Sequence, residues 1–430
     1  MKKNKSLLVK SPLRVPLEQW QIKQGAQVYL VRRSEIPAIN IDILFRAGSC
    51  RDGKKWGLSY LTNTLLNQGT QAYNADEIAE KFSDVGALFK IYSSKDSACA
   101  GLKSLSEKKY FDSALKLFLE ILHSVNFPGQ AIKRRQKQLL NTIKTHEQMP
   151  GHLAQQAFYA ALYNKHVYAH PMEGTKKSVT LLNQKDIKNF YHQYYVLENA
   201  TIIIVGDVSL HQAESIVSKI AGVLPSGKAA SPLNTVATTK KASQSHIEFP
   251  SEQANVWLGH VGLKYGDIDY YPLLVGNDIL GGSSVMSRLF TQVRGEHGLV
   301  YGINSGFQFL DARGSFSIHF ATQNTSVKKS LKLIQAILDR YIEEGPTKAE
   351  FLLAKKKLIN EFPLSLTANA DIEDYIAHMG FYKLPLDYLD TYQAKIAALT
   401  LEEVRLAIKR HIYPDKMIQV VVGPTGKGHI

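Results

Sequence analysis

The chain has 430 residues, 44% of them hydrophobic, enough to bury substantial cores and, at roughly 150 residues per domain, to make two or three domains. Its 52 basic and 38 acidic residues give a formal charge of +14, but the cations are scattered apart from short clusters such as Lys133, Arg134, Arg135 and Lys137. No nucleic-acid-binding module accompanies them, and the two cysteines, Cys50 and Cys99, exclude both a disulfide-rich scaffold and a cysteine-built zinc site.

Residues 1–16 read as an N-terminal arm. The start, MKKNKSLLVKSPLRVPLEQW, has the basic region of a signal peptide, but Lys10 and Arg14 interrupt any apolar stretch. No run approaches the roughly 18 apolar residues of a membrane span. The expectation is a soluble chain without membrane insertion, cytoplasmic as it stands and periplasmic only if a leader has been removed. Cys50 and Cys99 would permit one disulfide, but the expectation is two unpaired thiols.

AINIDILF at 38–45 alternates apolar positions as a strand with one buried face does. GLSYLTNTLLNQGT at 57–70 has the outline of a helix closed by a glycine turn. YFDSALKLFLEILHSV at 110–125 spaces Phe111, Leu115, Phe118 and Leu122 at helical intervals. His166 and His170 lie four apart and could share a helix face as metal ligands. Pro171 disfavours helix at His170, and no third ligand is apparent, so structural roles are the better expectation.

Further along, LLNQKDIKNFYHQYY leads into ATIIIVGD at 200–207, and ALTLEEVRLAIKRHI leads into MIQVVVGP at 417–424. Gly206 and Gly423, like Asp186 and Glu403, are 217 positions apart, so this stretch repeats without a gap. Earlier elements repeat with small length changes: NTLLNQGT at 63–70 faces GNDILGGS at 276–283, and GALFKIYSS at 86–94 faces GLVYGINSG at 298–306. A period near half the chain points to duplicated domains rather than a solenoid. The expected division is 17–225 and 246–430, joined by a polar linker at 226–245. The fold class is α+β: two homologous domains, each a mostly antiparallel sheet with helices covering one face.

Both halves resemble the pitrilysin and insulinase group of inverted zincins, which includes mitochondrial processing peptidase and short bacterial relatives. The resemblance spans nearly the whole chain: AGS at 47–49, the helix at 57–70 with its closing GT, HVYAHPMEGT at 166–175, YYVLENATIIIVGD at 194–207, and GGSSVMSRLFTQVRGEHGLVYG at 281–302. In that family H-x-x-E-H supplies two zinc ligands and the general base from one helical face. Here Tyr60, Asn63 and Thr64 occupy those places, and a phenol, an amide and a hydroxyl cannot do the same work. The family's third ligand, a Glu on a later helix, falls on Asn141 or Thr142; Glu147 lies more than one turn beyond. The resemblance thus implies a degenerate metal site and no cofactor in this chain.

The second half keeps what the resemblance assigns to substrate handling. Arg294 is expected near a helix end and Tyr301 at the start of the next strand, with Gly298 allowing the turn between them. A permanent guanidinium and a phenolic O–H suit the negative charge that develops on a scissile carbonyl, and neither needs zinc of its own. The implied function is that of a non-catalytic subunit of a heterodimeric zinc peptidase. A homologous partner would carry the zinc, and Arg294 and Tyr301 would act on a peptide substrate there. The alternative is an inactive structural or peptide-binding homologue with no role in hydrolysis. A homodimer is a further possible assembly.

Overall fold

Two sheets, one in each half, carry the same strand order. The computed structural model describes residues 15–23, 25–282 and 285–424. The expected arm at 1–16 therefore lies outside the described residues except for Val15 and Pro16. The first half contains β1 (Leu17–Gln21), β2 (Gln27–Arg32), β3 (Ala38–Phe45), β4 (Leu88–Ser93), β5 (Ala98–Leu105) and β6 (Ala200–Gly206). The second contains β7 (Ser243–Glu248), β8 (Gln253–Val261), β9 (Val300–Gln308), β10 (Ser315–Gln323) and β11 (Ile418–Gly423). β7 begins inside the 226–245 segment read as a linker.

The first sheet is ordered β1-β2-β6-β3-β5-β4 and the second β7-β11-β8-β10-β9. Without β1 the two orders correspond strand for strand. β2 runs parallel to β6 as β7 does to β11, and the other pairings are antiparallel. The ungapped repeat extends to the helix caps. Asn183 and Asp186 form a reciprocal capping box on the helix Gln184–Tyr194, and Thr400 and Glu403 form its counterpart on Leu401–His411.

Each sheet packs the helices of its own half on one face. Val28, Leu30, Ile41, Ile43, Ile202 and Ile204 join Phe118 and Leu122 of the helix Lys108–Ser124 in one core. The opposite faces are closed by exchange. The helix Asn369–Phe381 of the second half packs on β3 and β6, bringing Ile372 and Ile376 into one core with Leu44, Ile203 and Val205. The helix Pro150–Tyr163 of the first half packs on β8 and β11, where Phe158 and Leu162 join Val420 and Val422. β3 is consequently buried on both faces, not on one as its alternation suggests, because a helix from the other half covers the second face.

That crossing also places charge inside. Glu373, on Asn369–Phe381, accepts from Lys90 Nζ (2.8 Å) and Asn40 Nδ2 (3.0 Å), and the same ammonium lies 3.1 Å from Asp42. Both carboxylates are fully buried, so one lysine serves two acids across the junction. Among the described residues no helix is long and apolar enough to cross a membrane. Cys50 and Cys99 are buried free thiols.

Candidate functional site: an emptied metal helix and an exposed Arg-Tyr pair

The helix at the degenerate site is short, Leu58–Thr64, and its start is held by a buried carboxylate. Asp52 accepts from the backbone N–H of Gly57 and of Ser59, both at 2.7 Å, and burial raises its pKa to about 8 despite these two bonds. Gly57 sits at φ +90° against Gly174 at φ +78°. A side chain on Gly57 would meet the Glu173 carbonyl at 2.6 Å, and one on Gly174 would meet that of Trp56 at 2.3 Å. The PMEGT segment is thus the lid on the helix start.

Asn63, expected at the place of the general base, is fully buried and bonded at both ends of its amide. Its Nδ2 donates to the Tyr92 carbonyl (2.8 Å), and its Oδ1 accepts from the Tyr195 hydroxyl (3.0 Å). The amide therefore ties the helix to β4 and to the end of Gln184–Tyr194. Thr64 donates back to the Leu61 carbonyl at 2.9 Å. Tyr60 is half-buried; burial raises its pKa, the charge of Glu173 adds to this, and Arg135 opposes it. Arg135, on the helix Gly129–His146, donates to Gln138 Oε1 (3.0 Å). Asn141 and Thr142 are exposed on that helix, where Thr142 donates to the Gln138 carbonyl (3.2 Å). Neither makes a hydrogen bond to Leu58–Thr64. Glu147 follows the last turn and is also exposed. This donor set does not fit zinc: it offers no imidazole and no carboxylate, and both ends of its amide are already engaged.

His166 and His170 do not share a helix face. Each lies in the irregular stretch after Tyr163: His166 Nε2 lies 3.0 Å from the Asn234 carbonyl, and His170 stacks on Trp56 with ring centres 5.3 Å apart. Burial lowers the pKa of both, as expected of packed neutral imidazoles.

Arg294 and Tyr301, by contrast, are brought together. Phe290–Glu296 is a seven-residue π-helical turn, and Gly298 at φ +60° reverses the chain into β9. The Arg294 guanidinium stands 4.6 Å from the Phe290 ring centre and 5.1 Å from that of Tyr301. Tyr301 is 81% exposed although it lies within a strand, and Val285 and Met286 in the preceding segment are each 68% exposed. A stacked cation beside an open phenol gives two hydrogen-bond donors with limited freedom to move.

Two features were not visible in the sequence reading. Asp52 looks like a solvated loop acid, and only the spacing of the backbone N–H groups at the helix start could have suggested its capping role. Glu373 looks like a helix-surface charge, although Asn40 and Asp42, polar in an otherwise apolar strand, were a sign that something polar faces them.

Residues 27–176 match the family described as Insulinase (Peptidase family M16), and residues 182–358 match the Peptidase M16 inactive domain. A solved structure of a peptidase M16 inactive domain from Pseudomonas fluorescens is 37% identical and superposes with a TM-score of 0.93, over 96% of this chain and 99% of that one. The protein named non-peptidase homolog YmxG from Helicobacter pylori is 27% identical over 87% of each chain. Another, named uncharacterized zinc protease YmxG, from Bacillus subtilis, is 24% identical over 95% of this chain and 99% of its own. The chain is an inactive homologue among such proteins, and it belongs to the peptidase M16, or insulinase, family.

Proposed function

We propose that the chain is the non-catalytic subunit of a two-chain zinc peptidase and supplies Arg294 and Tyr301 to a zinc site on a homologous partner. The observation that carries this reading is the exposed pair itself, a guanidinium stacked at 5.1 Å on a tyrosine ring that is 81% open. Burying Tyr301 against its own sheet would contribute to folding, and leaving it open does not. In a peptidase of this type the guanidinium and the phenol hold the peptide backbone and neutralise charge on the scissile carbonyl, while water activation is left to the partner. The bound peptide pairs its main chain with a sheet edge of that partner.

The test mixes the purified chain with the zinc-bearing homologue from the same source and assays cleavage of unfolded peptides. The expected result is activity that rises with the amount of this chain and saturates near equimolar mixing. A partner fully active alone and unaffected by this chain refutes the proposal and leaves the inactive structural or peptide-binding homologue.

A further inference from the structure

Lys95 sits in the turn between β4 and β5, which is held from outside. The backbone N–H of Ser49 donates to the Ser94 carbonyl (3.1 Å), and that of Cys50 to the Lys95 carbonyl (2.9 Å). The Lys95 ammonium donates to the Tyr168 carbonyl at 2.8 Å and lies 5.3 Å from the centre of the Tyr159 ring. An ammonium has three N–H donors, and the other two have no acceptor among the described residues. The neighbouring Asp96 forms no salt bridge with it there. That carboxylate instead accepts from the Tyr168 hydroxyl, the Asp311 backbone N–H (2.9 Å) and the Tyr382 hydroxyl (3.0 Å). Burial lowers the Lys95 pKa to about 8, against the charges of Asp96 and Glu173, so the side chain is mostly cationic at neutral pH.

The ring that the ammonium approaches is part of the wall of a cavity of about 310 Å³, which Lys95 shares with Tyr159, His152, His170, Glu173 and, from the second half, Gln308. The turn that carries Glu173 is closed by the Gly174 N–H, which donates to the Pro171 carbonyl (3.0 Å). The charge of Glu173 is felt by both Lys95 and His152. Its carboxylate nevertheless accepts no hydrogen bond and forms no salt bridge among the described residues. Burial lowers the pKa of both His152 and His170, so neither imidazole supplies a cation at neutral pH. Among the described residues the wall therefore carries one formal charge of each sign, Lys95 and Glu173, and the two do not close on each other. A simple anion or a simple cation would answer one of these groups and leave the other without a partner. A molecule with both a carboxylate and an ammonium answers both through charge-assisted hydrogen bonds. The volume stands at the lower end of small-ligand sites, which favours a small molecule over a long chain.

We infer that this cavity binds a small zwitterion, a free α-amino acid or a dipeptide, with Lys95 as counter-ion of its carboxylate and Glu173 as counter-ion of its ammonium. The inference stands apart from the action of Arg294 and Tyr301 on a partner, so either can fail without the other.

The test is calorimetric titration of the purified full chain at neutral pH with L-leucine and the dipeptide alanyl-leucine, and with two blocked forms of leucine. N-acetyl-leucine lacks the ammonium, and leucinamide lacks the carboxylate. At least one zwitterion is expected to bind saturably, and each blocked form about tenfold or more weaker than leucine or, where only the dipeptide binds, than the dipeptide. Glu173→Gln should remove the preference over N-acetyl-leucine, and Lys95→Met the preference over leucinamide. Tighter binding of leucine assigns the site to free amino acids, tighter binding of the dipeptide assigns it to short peptides, and equal binding upholds the site for both. No saturable binding of either zwitterion at millimolar concentration, a blocked form bound as well as the zwitterion, or folded variants that keep the parent's preferences would each overturn the inference. The comparison of zwitterion with blocked forms on the unaltered chain decides even if a variant fails to fold.

Discussion

Removing Lys90 should weaken the junction of the halves by an amount that depends on pH. Among the described residues Lys90 is the one cation in salt-bridge distance of Asp42, on β3, and Glu373, on the crossing helix, both fully buried. Breaking a buried ion pair by deleting one partner costs about 3–5 kcal/mol, because the remaining charge is left without compensation. Burial, and then the charge of Asp42, raise the Glu373 pKa to about 7 against the pull of Lys90, and burial also raises that of Asp42. Between the ordinary glutamate value and about pH 7 the folded chain therefore binds more protons than the unfolded one, and the contribution of Glu373 to stability falls as pH rises through that window. A rise to about 7 corresponds to on the order of 3 kcal/mol. The Lys90 pKa is itself raised, so its stabilising charge is fully present throughout the window and is lost only at strongly alkaline pH. Lys90→Met should thus be destabilised by about 3–5 kcal/mol near pH 8 and recover part of this near pH 5, where the carboxylates take up protons. Glu373→Gln keeps the side-chain shape and should flatten the decline between those pH values. The assay is urea unfolding of the three proteins across that range. Parallel pH profiles for the parent and Glu373→Gln, or a Lys90→Met within about 1 kcal/mol of the parent near pH 8, would refute the reasoning.

Two further outcomes concern the emptied helix. Elemental analysis of the isolated chain, purified without chelators, should find no stoichiometric zinc, and one tightly held zinc per chain would contradict the donor set described above. Asn63→Ala removes the partner of both the Tyr92 carbonyl and the Tyr195 hydroxyl and should cost about 1–3 kcal/mol for each group left unpaired. Denaturant unfolding checks this, and an unchanged midpoint would mean that Asn63 is a bystander.

The duplication was legible because the 217-residue offset preserves cap positions as well as apolar ones, so Asn183 with Asp186 and Thr400 with Glu403 mark equivalent helix starts. The Arg294–Tyr301 pairing was legible too, since Gly298 between a helical run and a strand allows only a tight reversal. Partner choice between elements was not. Apolar periodicity in Pro150–Tyr163 and Asn369–Phe381 says that a face is buried but not against which sheet, and both helices pack on the sheet of the other half. For the same reason nothing in the sequence singles out Glu373, whose ammonium partner Lys90 lies 283 positions away.

The most direct measurement is the turnover rate of the chain reconstituted with its zinc-bearing homologue when Arg294 is replaced by alanine. If the stacked guanidinium acts on the scissile carbonyl, Arg294→Ala should lower kcat by about 10²-fold or more while the two chains still co-purify. An unchanged kcat in an intact complex would contradict the account.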